Sequence, residues 1–157
     1  MENLEIIPGY GFGKLKFGTT KENIIDIAGK PDKESKDKDD FGNTLTYHYS
    51  GKRFSLYFEE DYDYTLSCIE TDHPDLVFFD ETIIGFNREK LIALINKNDL
   101  GDYEESVEEA PSVKEEDLET CISVDSLEMN FYFYDNKLIS VQAGVLYNDE
   151  NEVCWPV

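Results

Sequence analysis

The sequence predicts an α+β domain built by tandem duplication, each copy a helix followed by three antiparallel strands. Both helices then lie on one face of the sheet in a two-layer arrangement. Three observations predict this. A capped amphipathic segment after Gly18 recurs after Gly85, alternating apolar and polar segments follow each copy, and the in/out parity of the central alternating segment is the same in both.

The first helix is expected from Thr20 onward. Thr20 accepts a hydrogen bond from an orphan backbone N–H, and Thr19 with Glu22 fits a capping box. Ile24, Ile25, Ile27 and Ala28 make one apolar stripe, Gly29 supplies the left-handed end, and Pro31 forbids continuation. Three strands are expected after it, over 44–49, 53–59 and 64–71. In the second of these Phe54, Leu56 and Phe58 alternate with Ser55, Tyr57 and Glu59, the period of a half-buried strand.

The second copy repeats this grammar. Gly85, Asn87 and Glu89 stand where Gly18, Thr20 and Glu22 stood, and Leu91, Ile92 and Leu94 renew the stripe. Strands are expected over 118–124, 127–134 and 138–145, with Met129, Phe131 and Phe133 facing in, and Asp135-Asn136 reads as a hairpin turn. The two units divide at 1–75 and 76–157 and form one compact body. The second carries a longer helix-to-strand connection, an acidic insertion over 99–117; from Asp99 to Glu119 there are ten acids and one base, Lys114. Its counterpart, 30–43, is of mixed charge, and both are expected to be exposed loops.

Charge narrows the function. The chain of 157 residues has 14 Lys+Arg against 35 Asp+Glu, a net charge of −21. Such a field repels phosphates, so nucleic acid and anionic membrane are excluded as expected partners, and a basic protein is the complement. With 40% hydrophobic and 13% aromatic residues there is enough apolar surface for a core, which argues against disorder. Uncharged runs such as 138–148 are too short to cross a bilayer. The start, Met1–Glu5, is acidic and has no apolar run, and Cys68, Cys121 and Cys154 are odd in number and widely spaced. Both features fit a reduced, cytoplasmic setting.

No motif for catalysis stands out. Gly9, Gly11 and Gly13 precede an extended segment rather than a helix, so they read as a turn and not as a phosphate loop. Asp37–Gly42 begins like a calcium loop but lacks the closing Glu, since His48 stands there. His48 and His73 have no partner at zinc-ligand spacing. A reactive thiolate is disfavoured by so negative a field. Chance alone supplies carboxylate pairs among so many acids. The expectation is a non-enzyme with no cofactor and no metal.

What remains is surface. On the solvent parity lie Tyr57 and Glu59 in the first copy and Glu128, Tyr132 and Tyr134 in the second. Tyrosine supplies rigid amphipathic contact area and carboxylates supply complementarity to a basic partner. Glu104, Glu105, Glu108 and Glu109 in the acidic insertion add a candidate polyanion mimic.

The run Gly18-Thr19-Thr20 through Ile24 and Ile25 to Ala28-Gly29-Lys30-Pro31 resembles the signature of the superfamily of β-lactamase inhibitor protein and the small outer-membrane assembly lipoproteins. In the second copy Asn96-Lys97-Asn98 replaces the Gly-x-Pro end. The resemblance implies a helix-plus-antiparallel-sheet scaffold, often in tandem, that grips another protein without catalysis. By size, acidity and architecture the chain also looks like the immunity proteins that bacteria pair with secreted toxins, which implies occlusion of a toxin's cationic site. The alternatives are a cytoplasmic adaptor or scaffold unconnected with toxins and, less favoured, a hydrolase.

Overall fold

Thr20 and Asn87 do what their positions after a glycine turn predict. In the computed structural model, which describes residues 3–40, 42–108 and 119–156, the Thr20 hydroxyl accepts from the Asn23 N–H at 3.3 Å and the Asn87 carbonyl oxygen accepts from the Lys90 N–H at 2.8 Å. These caps open α1 (Lys21–Ala28) and α2 (Arg88–Lys97). Gly29 ends α1 at φ 83° and donates its N–H to Ile25. Ahead of α1 run three short strands, β1 (Ile6–Ile7), β2 (Gly11–Phe12) and β3 (Leu15–Lys16). Gly11 is required there, because a Cβ would stand 2.0 Å from the Leu15 carbonyl oxygen.

Four strands follow α1: β4 (Lys33–Asp39), β5 (Gly42–Tyr49), β6 (Phe54–Glu59) and β7 (Leu66–Thr71). A small hairpin, β8 (Val77–Phe78) and β9 (Glu81–Thr82), leads into α2. After α2 come β10 (Glu104–Glu108), β11 (Glu119–Val124), β12 (Met129–Tyr134) and β13 (Lys137–Gly144), and the chain finishes with β14 (Leu146–Tyr147) and β15 (Val153–Cys154).

The architecture corrects the predicted fold class. Strand accounts for 48% and helix for 19%, with two α-helices among the described residues. The body is not a tandem helix-plus-three-strand α+β repeat but one antiparallel sheet of eight strands, ordered β10-β11-β12-β13-β7-β6-β5-β4. The missed strands are its two edges. β4 and β10 fall inside the segments read as exposed loops, and neither shows an apolar alternation: β4 reads Lys-Glu-Ser-Lys-Asp-Lys-Asp and β10 Glu-Glu-Ser-Val-Glu. Their pairing with β5 and β11 makes them strands, a tertiary choice that overrides weak local preference.

One face of the sheet is the core. Leu45, Tyr47 and Tyr49, then Phe54, Leu56 and Phe58, then Ile122 and Val124, Met129, Phe131 and Phe133, and Leu138, Val141 and Ala143 are all buried. Ile24 and Ala28 of α1, Leu91, Leu94 and Ile95 of α2, and Ile6, Phe12, Leu15 and Phe17 join them in a single cluster. Polar groups fix the C-terminal end of α1. The Tyr49 hydroxyl donates to the Gly29 carbonyl at 2.9 Å, and the Lys52 ammonium donates to the carbonyl of Ala28. Apart from register shifts after Tyr57 and after Tyr132, side chains alternate, so the register that buries this face turns the intervening residues to the other.

Candidate functional site

The second face of the sheet is polar and reachable. Register sets a transverse row across it: His48 lies opposite Ser55, Ser55 opposite Glu70, Glu70 opposite Gln142, Gln142 opposite Asn130, Asn130 opposite Ser123, and Ser123 opposite Glu104. Neighbouring strands hold these side chains within reach of one another, and most of them are hydrogen-bonded. His48 bridges two hydroxyls, Ser35 Oγ at 3.0 Å from Nε2 and Ser55 Oγ at 3.1 Å from Nδ1. Ser123 donates to Asn130 Oδ1 at 2.7 Å, and Asn130 Nδ2 reaches Gln142 Oε1 at 3.4 Å.

At the centre stand two tyrosines named by the sequence. Tyr57 donates its hydroxyl to Glu70 Oε2 at 3.0 Å, and Tyr132 donates to Gln142 Oε1 at 3.0 Å. Glu70 and Gln142 are cross-strand partners where β7 meets β13. Burial, then the Glu70 charge and the hydrogen bond to it, push the Tyr57 phenol above its ordinary range, so it remains a donor. Tyr132 is raised too, first by burial. Cys68, between them on this face, is pushed up to about 12, burial again leading and Gln142 acting the other way. Burial therefore favours its neutral thiol form.

The other sequence-named residues separate from this centre. Glu59 ends β6 and Glu128 precedes β12; both carboxylates act on Tyr147, whose hydroxyl lies 2.7 Å from that of Tyr62. Burial raises Glu59 above the usual glutamate range, with a hydrogen bond from Ser67 opposing it. Tyr134 lies at the opposite end of the face and is 41% exposed. Glu104 belongs to the row on the edge strand. Glu105 points to the other side and pairs with Arg88 of α2, which holds its carboxyl below the usual range. Glu108 ends β10, and Glu109 lies outside the described residues. The structure thus brings Tyr57 and Tyr132 to the same centre, leaves Glu59 and Glu128 at separate strands with the shared neighbour Tyr147, and leaves the β10 acids apart.

Sequence reasoning missed Glu70 and Gln142. They stand opposite Ser55 and Asn130, one register row away from the two tyrosines, and a register shift in each strand pair interrupts the in/out count that would otherwise have placed them. It also missed the cleft beside them. β7 ends at Thr71, opposite Val141, while β13 continues to Lys137, and a notch of about 490 Å³ opens between the two, bordered by His48, Ser55, Glu70, Asp72, Ile139 and Ser140. Arg53, at φ 61°, spans its rim and binds Asp72 through Nε at 3.1 Å and Nη2 at 3.2 Å.

Among the described residues no group of His, Cys, Asp and Glu is arranged to hold a metal ion, and no helix is long and apolar enough to cross a membrane. Of the Asp37–Gly42 segment, which begins like a calcium loop, Asp37, Lys38 and Asp39 end β4 and Gly42 begins β5, while Phe41 lies outside the described residues.

No protein-family model matches the chain, and no curated protein matches it. Among solved structures the chain is similar to an extracellular protein containing an SCP domain from Bacillus anthracis str. Ames, at 12% identity and a TM-score of 0.47. The match covers 90% of this chain and 49% of that one, so the chain spans about half the length of that protein.

Proposed function

We propose that this protein is a non-catalytic binding module for a basic protein, of the immunity type, which neutralises a toxin domain by covering its cationic site. The observation that supports this is the accessible sheet face, where Tyr57 and Tyr132 flank the acceptors Glu70 and Gln142 in a chain of net charge −21. Aromatic anchors held rigid by hydrogen bonds, surrounded by groups that accept from a cation, are what a partner-binding surface needs. The long-range field speeds encounter with a basic partner and falls away with salt.

The test is capture on the immobilised chain from extracts of its native host at about 50 mM and about 1 M salt, a range over which the screening length falls to about 3 Å. The expected result is a basic protein retained at low salt and released at high salt. Recovery of no basic protein, or retention indifferent to salt, overturns the reading.

A further inference from the structure

Glu70 is the most informative group on the accessible face. It lies mid-sheet, half-buried, on the row between Ser55 and Gln142, with one carboxylate oxygen accepting from Tyr57 at 3.0 Å. The nearest cation on this border of the face, Arg53, is engaged by Asp72 through two nitrogens. A half-buried carboxylate therefore faces a notch of about 490 Å³ whose polar lining also includes His48, Ser50, Ser55, Ser140 and the Arg53–Asp72 pair. Ile139, 39% exposed, supplies one apolar wall.

Resting on the binding reading above, we propose that this notch receives an arginine side chain of the basic partner, with Glu70 as its anion. Guanidinium is a planar fork of five N–H donors and no acceptor. The border offers the remaining Glu70 lone pairs and the Ser55 and Ser140 hydroxyl oxygens as acceptors, and Ile139 covers the methylene stem. A lysine ammonium is a compact, strongly hydrated charge that makes less use of acceptors spread around a rim. The phenol of Tyr57 holds the carboxylate in place, as a positioning residue. Charge complementarity selects the occupant, since the surroundings are acidic and the pocket's own cation is already paired.

The experiment is an NMR titration of the full chain with N-acetyl-arginine amide, with N-acetyl-lysine amide as the control probe. The expected result is saturable shifts confined to Ser55, Tyr57, Glu70 and Ser140, at least tenfold weaker with the lysine probe. Glu70→Gln, which keeps an acceptor for Tyr57 and so spares the fold, should abolish them, and Asp26→Asn, at an exposed acid of α1 away from the notch, should not. Shifts spread evenly over surface acids, equal response to both probes, or an unaltered response in Glu70→Gln overturns the proposal. Failure of the wider reading is distinct. If the chain captures no basic protein, that reading falls while the titration still judges the notch. If it captures one and Glu70→Gln captures it equally, the notch falls and the reading stands.

Discussion

Glu59 illustrates how one carboxylate can work against the fold that presents it. It stands at the end of β6 with Tyr147 close by, and burial raises its pKa above the usual glutamate value. A raised folded-state pKa means that the fold prefers the protonated form. The stabilisation is full below the unfolded value, about 4.3, and is lost as pH rises through the folded value. Above that window the charge is a liability. Glu59→Gln, which retains an acceptor for Ser67, should therefore raise Tm at pH 7, and the gain should shrink towards zero as pH falls to about 4. Thermal melts of both proteins across that range check the sign. A lower Tm for the variant at pH 7 would show that the Ser67 hydrogen bond to the ionised form outweighs burial.

Both helices are short, eight and ten residues, and lack the length to persist alone. They depend on their caps and on the sheet. Asn87 is exposed and its side chain touches the fold through the Lys90 N–H, so Asn87→Ala isolates the cap. The expected cost is about 1 kcal/mol, a fall in Tm of about 2–4 °C for a chain of this size. Phe131→Ala, in the buried face of β12, should cost about 3–5 kcal/mol because it leaves a cavity. Differential scanning calorimetry on the pair measures both, and equal losses would mean that helix docking rests on the cap far more than on the core. The edge strands obey another logic. Three lysines among the seven residues of β4 keep that edge from pairing with other chains, while β10 has no base and exposes Val107. Charge alternation without apolar alternation is how a protected edge reads in sequence, and it is indistinguishable from a loop until β5 supplies the partner.

Over the whole molecule, −21 charges spread on one body repel one another. Self-repulsion weakens the compact state at low ionic strength, where the screening length is about 30 Å at 0.01 M. Raising NaCl from about 10 mM to about 500 mM should therefore raise Tm by several degrees, the reverse of what a fold held by surface ion pairs would do. Thermal melts across a salt series decide between the two. Binding to a basic partner should move the other way, strongest at low salt. On the proposed binding function, fold and binding should respond to the same ions with opposite sign, a signature that separates charge-driven recognition from general loss of structure.

The residues alone determined the helix starts at Thr20 and Asn87, the turn at Asp135-Asn136, the inward set Phe54, Leu56 and Phe58 with Met129, Phe131 and Phe133, and hence which way Tyr57 and Tyr132 face. Each follows from interactions within a few positions of chain: a cap, a left-handed turn, a period of two. Only the tertiary structure decided the rest. It made β4 and β10 strands, joined eight strands in one sheet, and set Glu70 against Gln142 between the two tyrosines. Those outcomes depend on which strand lies beside which, and on where β7 stops while β13 continues. Cross-strand register joins residues far apart in the chain, and no local pattern of charge or hydrophobicity encodes it.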